Sequence, residues 1–278
     1  MNIAVIGLGL IGGSLAKSIK ARTSHTVFGC DINEETMLLA RLCGAIDSEL
    51  SEDNLTQCDI VLVALRPADT VRWVQENAAR IPSEAAVIDM CGVKRVVCEP
   101  LSNIAAQHGF AYIGGHPMAG KERGRFINAA DTLFIGAPMI LTPDERTTPQ
   151  LLETLEKLFT DIGFARMVYT TPDEHDRIIA YTSQLAHIAS SAYIKSPEAQ
   201  RQRGFSAGSY RDMTRVAHLD EDMWTELCMD NADYLTEQAE LLAAHLHEYI
   251  GALRDRDENR LRELFRDGRE KKATAGGN

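Results

Sequence analysis

The sequence predicts an α/β fold: an N-terminal Rossmann-type doubly wound sheet over residues 1–170, followed by an all-α C-terminal half over residues 171–278. Three observations predict it. Up to about Thr170, short apolar runs rich in branched residues alternate with segments of helical spacing. The first of those runs passes straight into a cluster of glycines. Beyond "TTPDEHD", apolar residues recur only at three- and four-residue steps and no strand pattern returns.

The elements follow in order. "NIAVIG" reads as a buried parallel strand, "SLAKSIKA" as a helix and "TVFGCD" as a second strand. "NEETMLLARLCG" is a helix with Asn33 as its cap, acids in its first turn and Gly44 at its end. "DIVLVAL" is a third strand, "ADTVRWVQENAARI" a helix and "AAVIDM" a fourth strand. "CEPLSNIAAQHG" is a helix, "FAYIGG" a fifth strand and "APMILTP" a sixth. "TPQLLETLEKLFTDIG" is a helix, and "ARMVYTT" closes the sheet. In the second half, Asp173 to about Ser196, Asp220 to Arg254 and Glu258 to Lys272 read as helices. The arginine-bearing stretch "SPEAQRQRGFSAGSYRDMTR" reads as a binding loop between them.

Composition narrows the function. A hydrophobic content of 45% supports a real core, and a net charge of −11 over 278 residues argues against a nucleic-acid partner. No apolar run is long enough for a membrane span. The six cysteines are scattered and unpaired in spacing, which fits free thiols in a reducing cytoplasm. His245 and His247 lie two apart, on different helix faces, so no metal site is expected there.

"GLGLIGG" matches G-x-G-x-x-G at Gly7, Gly9 and Gly12. It follows a strand, opens a helix at Leu10 and Ile11, and is followed by Asp31 at the end of the second strand. In that context the first glycine permits a tight turn, the second lets a pyrophosphate approach, and the third lets helix and strand pack. The helix N-terminus then offers free N–H groups to phosphates. A carboxylate at Asp31 accepts from ribose hydroxyls and repels a 2′-phosphate, so NAD is expected rather than NADP. Leu65 and Arg66, at the carboxyl edge after the third strand, are expected near the cofactor, as is Cys91 after the fourth.

"GGHPMAGKERG" follows the fifth strand, on the same edge. Pro117 restricts His116, and Gly114 and Gly115 are expected to let the backbone turn close to a ligand. A histidine fixed there is expected to act as the base for a hydride-transfer reaction, with no other histidine so placed. Glu122 is poised either to gate such a site or to lie in solvent.

Taken together, these segments resemble the prephenate/arogenate dehydrogenase family of tyrosine biosynthesis. The resemblance rests on "VIGLGLIGGSLA", "DMCGVKR", "GGHPMAGKERG", "TSQLAHIASSAY" and "GSYRDMTRVA" with Trp224 beyond it, and it covers nearly the whole chain. It implies NAD-dependent oxidative decarboxylation of prephenate to 4-hydroxyphenylpyruvate, or the same chemistry on arogenate. It implies that His116 is the base, that Arg215 binds a substrate carboxylate, that His187 lines the substrate pocket and that Glu122 shapes or gates it. Trp224 is read as helix packing. The family often has a serine where Gly92 stands, so the partner of the substrate hydroxyl at that point is open; Lys94 and Arg95 beside it are either a lure for anionic substrate or solvated charge. The resemblance also implies a homodimer through the long C-terminal helix, in a chain without a regulatory or chorismate mutase domain. A β-hydroxyacid dehydrogenase would place a lysine in the helix after the boundary, where "DRIIAYTSQLAHIASSAY" has none. An NAD-sensing regulator would lack the base.

Overall fold

The computed structural model describes residues 1–121 and 124–275. In chain order, β1 (Asn2–Ile6), α1 (Leu10–Arg22) and β2 (Thr26–Cys30) form the first parallel unit. Then come α2 (Glu34–Leu42), the two-residue β3 (Ser48–Glu49), the single turn α3 (Glu52–Leu55), β4 (Ile60–Val63) and α4 (Pro67–Asn77). Next are β5 (Ala86–Asp89), α5 (Arg95–His108), β6 (Ala111–Pro117), β7 (Pro138–Thr142), α6 (Pro149–Asp161) and β8 (Arg166–Tyr169). The eight strands lie in the order β3-β2-β1-β4-β5-β6-β7-β8. All ladders are parallel except β6 with β7.

Strand side chains alternate between two cores, as the period of two requires. Ile3 and Val5 join Leu15 and Ile19 of α1 and Leu158 and Phe159 of α6 on one face. Ala4 and Ile6 join Val74 of α4 and Leu101 and Ile104 of α5 on the other. The short β3 and α3 were not anticipated; their signal is too brief for a periodicity to register.

The antiparallel β7 changes the reading of "GGHPMAG". Its ladder pairs Gly114 with Thr142 and His116 with Ile140, so β6 extends through Pro117 and His116 lies within the strand rather than in a loop after it. Gly114 and Gly115 serve packing rather than the expected turn toward a ligand. A Cβ at Gly114 would fall 2.3 Å from Thr142 Oγ1 and 3.2 Å from Lys94 Cδ, and one at Gly115 would fall 2.6 Å from the Asp89 carbonyl oxygen.

The helical half begins with α7 (Pro172–Ile179), capped by the Thr171 side chain. A π-helical turn at Ala180–Gln184 carries it into α8 (Leu185–Ile194). The stretch expected to be a loop folds locally instead: a 3₁₀ turn at Pro197–Arg201, α9 (Gly208–Thr214) and a second 3₁₀ turn at Arg215–Ala217. The expected long helix from Asp220 is two, α10 (Glu221–Met229) and α11 (Ala232–Arg254). The break comes at Asn231, whose side chain is used inward. Its Nδ2 donates to the Asp176 carbonyl at 2.8 Å and to Gln184 Oε1 at 2.7 Å, and its Oδ1 accepts from Arg95 at 3.0 Å. The last helix, α12 (Glu258–Ala275), packs back on α11, and Tyr249 donates to the Leu264 carbonyl.

Candidate functional site

Two features meet at the carboxyl edge of the sheet. The first is the glycine turn between β1 and α1. Gly7 has φ +81°, a left-handed conformation that favours glycine. A Cβ on Gly12 would stand 1.8 Å from the Gly7 carbonyl oxygen, so helix and strand approach as closely as the motif requires. A Cβ on Gly9 would meet nothing within 4 Å, which leaves open space above the turn. No side chain caps α1, and no acid lies in its first turn, so the amides around Leu10 and Ile11 are left for an outside acceptor. Asp31 is pinned beside the turn, accepting from the Leu8 amide at 2.7 Å and the Asn33 amide at 2.9 Å. It opens onto a cleft of about 680 Å³ that Gly29, Glu34, Leu38 and Leu50 also line. This is a cradle with the shape and donors of a dinucleotide site.

Leu65 flanks the same turn; its Cδ2 lies 2.7 Å from where a Gly7 Cβ would stand. Arg66 begins α4 and reaches across to α10, 3.9 Å from Asp220 and 3.8 Å from Glu226. Cys91 is buried, with its thiol against the Thr70 hydroxyl at 3.5 Å and the Leu65 carbonyl at 3.7 Å. Burial pushes that thiol far above its usual range, so it is inert.

The second feature surrounds His116, and it corrects the expectation that no other histidine is so placed. His116 Nδ1 lies 2.9 Å from His175 Nε2, and His175 Nδ1 lies 2.7 Å from Asp176 Oδ1. One tautomer assignment satisfies the chain. His175 donates Nδ1–H to the carboxylate and accepts at Nε2 from His116 Nδ1–H. The lone pair of His116 is then on Nε2. That atom faces Gly92: a Cβ built there would be 4.0 Å from it and 3.5 Å from Leu227 Cδ2 of α10.

Electrostatics agree with neutral rings. Burial, then His175 and Lys94, hold His116 well below its usual pKa. Burial lowers His175 as well, against the opposing pull of Asp176. Burial alone would raise Asp176, but the His175 bond and the amides of Arg95 and Lys94 override it and hold the carboxyl low.

Lys94 and Arg95 fit neither sequence reading. Lys94 is fully buried and bonded to Asp89. Arg95 clasps the helical half, with Asp176 Oδ2 at 3.3 Å, Asp233 Oδ1 at 2.6 Å, and its guanidinium 4.4 Å from the Tyr234 ring centroid.

His187 stands on α8 with Nδ1 3.0 Å from the Ser183 carbonyl, and its ring stacks on Trp224 at 3.7 Å between centroids. Trp224 therefore packs directly against His187. Burial, partly offset by the Ser183 carbonyl and reinforced by Arg215, lowers the His187 pKa. Arg215 is exposed at the start of its 3₁₀ turn, within electrostatic reach of His187. Glu122 lies outside the described residues. Reading "TTPDEHD" only as a boundary misses His175 and Asp176; the available signal is an adjacent His-Asp near the start of a helix that begins beside the sheet.

Residues 15–169 match the family model described as "Prephenate dehydrogenase, nucleotide-binding domain", and residues 171–267 match "Prephenate dehydrogenase, dimerization domain". The chain is 29% identical over 246 residues to a prephenate dehydrogenase of Bacillus subtilis, covering 85% of this chain and 66% of that protein. Among solved structures it resembles prephenate dehydrogenase from A. aeolicus in complex with hydroxyphenyl propionate and NAD+, with TM-score 0.83, 27% identity, and 99% and 98% of the two chains covered. It also resembles Synechocystis arogenate dehydrogenase, with TM-score 0.82, 26% identity, and 99% and 100% covered.

Proposed function

The chain belongs to the prephenate dehydrogenase family, and from that premise we propose that it oxidises prephenate with loss of CO2, using His116 as the base. The activity is NAD-dependent. The turn at Gly7, Gly9 and Gly12, the amides of Leu10 and Ile11, and the Asp31 carboxylate would hold the dinucleotide, with Leu65, Arg66 and the backbone at Cys91 along its edge. When bound, NAD supplies the acceptor for the hydride that leaves C4 of the ring.

The protein's own part is proton handling and placement. His116 Nε2 takes the proton of the C4 hydroxyl as the hydride leaves; the electron pair of the bond to the departing CO2 then enters the ring, makes it aromatic and leaves a phenolate oxygen, to which Nε2 returns the proton. The imidazolium so formed donates through Nδ1 to His175, whose own Nδ1–H rests on Asp176, so the transient positive charge meets a carboxylate two bonds away. The same bonds fix the ring of His116 before substrate arrives. Leu227 puts an apolar wall beside the space at Nε2, 3.5 Å from where a Gly92 Cβ would stand. Gly92 offers no side chain there, so His116 is the side chain at that point which meets the hydroxyl. Arg215 is suited to a substrate carboxylate by its planar pair of donors, and His187, held by Ser183 and Trp224, lines the pocket beside it. Glu122 remains a proposed gate.

The observation that carries this reading is the His116–His175–Asp176 chain, which leaves a neutral Nε2 lone pair at the carboxyl edge. The test is an absorbance assay at 340 nm with prephenate and with arogenate, each with NAD and NADP. Turnover with prephenate and NAD that His116→Asn abolishes supports the reading; unchanged turnover in that variant ends it.

We place the division between the dinucleotide half and the substrate half at Thr170. We also infer a homodimer through the helical half, supported by the dimerization-domain match and by the exposed Met229, Leu246, Leu253 and Phe265. A cytoplasmic location is supported by six cysteines that are all free. Among the described residues, no helix is long and apolar enough to cross a membrane.

A further inference from the structure

Resting on the reading of His116 as base, the geometry points to Lys94 as the positioning residue that locks that base, holding it from two directions at once. The lysine ranks among the largest fully buried side chains of the molecule. Its ammonium bonds Asp89 and donates to the Gly115 carbonyl at 2.7 Å, the peptide immediately before His116. Its backbone N–H donates to Asp176 Oδ1 at 2.8 Å, the same oxygen that accepts from His175. Following the bonds from the ammonium to Gly115, along the chain to the His116 ring, through His175 to Asp176 and back to the Lys94 amide closes a ring. One residue therefore supplies both ends of the brace.

The surroundings are built for it. Asp89 is held by the Tyr112 hydroxyl at 2.7 Å and the Cys91 amide at 2.9 Å. A side chain at Gly114 would meet Thr142 Oγ1 at 2.3 Å and Cys98 Sγ at 2.7 Å, and would also press on the stem of Lys94 at 3.2 Å, so glycine there leaves room for all three. A buried ion pair is often no more stable than apolar residues of similar volume, so stability alone is a weak reason for an ammonium at this point.

Lys94 also acts through its charge. Among the described residues, the charged and titratable groups around His116 are Asp89 at the end of β5, Lys94 and Arg95 at the start of α5, and His175 and Asp176 on α7; α10 presents the apolar Leu227. A cation behind the ring disfavours a second one on it. Removing it makes His116 easier to protonate, so the pH below which activity is lost moves upward.

The test is the pH profile of kcat/KM for prephenate in Lys94→Met, in the double variant Asp89→Asn/Lys94→Met, and in Tyr112→Phe, with thermal melts to establish folding. Folded Lys94→Met should lose about 10- to 100-fold in kcat, as a small misplacement of a reacting group does. Its KM for NAD should stay within about threefold, and its acid limb should lie at higher pH. If Lys94→Met does not fold, the double variant gives the kcat reading without a lone buried carboxylate; its acid limb should move less, because the anion leaves with the cation. Tyr112→Phe, which removes the hydroxyl's bonds to Asp89 and Cys98 and leaves the lysine in place, should move the acid limb the same way by less. A folded lysine variant with kcat and acid limb near wild type would overturn the proposal. So would an unmoved limb in Tyr112→Phe when neither lysine variant folds. His116→Asn separates the two readings: if it retains turnover, the base is wrong; if it is dead while Lys94→Met is normal, only the brace is wrong.

Discussion

The sheet half and the helical half solve burial differently. The sheet half closes two apolar cores over its own faces and carries the glycine turn and Asp31. The helical half buries a small cluster around Ala180, Leu185 and Leu235 and leaves Met229, Leu246, Leu253 and Phe265 in solvent. Yet it contributes Asp176, His175, Gln184 and Asn231, all buried and polar, to the seam between them. The proposed chemistry therefore draws on both halves: the proposed base on a strand, the pair bonded to it on a helix, and an arginine clasp between them.

If the sheet half carries the base, His116→Asn should cost about 10²- to 10⁴-fold in kcat with NAD binding kept, read by steady-state kinetics and cofactor titration. If the helical half orients that base, His175→Ala should cost about 10- to 100-fold in kcat with little change in KM for NAD; silence there would reduce the helical half to a lid. The cradle is tested by Asp31→Ala, which should weaken NAD by about tenfold and narrow its advantage over NADP. The incomplete apolar surface is tested by Leu246→Glu with Leu253→Glu, which should convert a dimer mass to a monomer mass in light scattering. The smallest effect is on stability with pH. His116 and His175 are both held below the usual histidine value when folded. The unfolded chain therefore binds protons first, and stability present above about pH 6.5 is lost progressively as pH falls below it. A lower Tm at pH 5.5 than at pH 7.5, with a smaller drop in His175→Phe, is the expected result.

Much of this was legible in the chain. The glycine spacing, the strand before it and Asp31 after the second strand are local features, and local features survive reading in one dimension. The sheet was readable for the same reason, since each strand carries its own periodicity. His175 and Asp176 were not readable, because their meaning comes from β6, 59 residues away by the His116–His175 bond. Lys94 reads equally as a lure for anionic substrate and as solvated charge, because a sequence does not show that Asp89 and Gly115 converge on it, with Tyr112 behind Asp89. The break at Asn231 was hidden likewise: helix spacing continues through it, and only the side chain's inward bonds reveal why the backbone stops.

The π-helical turn at Ala180–Gln184 has a consequence of its own. It inserts a fractional phase step between two stretches that must aim at different targets, His175 toward the strand and His187 toward Trp224. Each residue of a helix advances the azimuth by about 100°. Deleting a single residue there would restore an unbroken spiral and turn one histidine out of alignment with the other, much as a gear with one tooth removed still spins but no longer meshes.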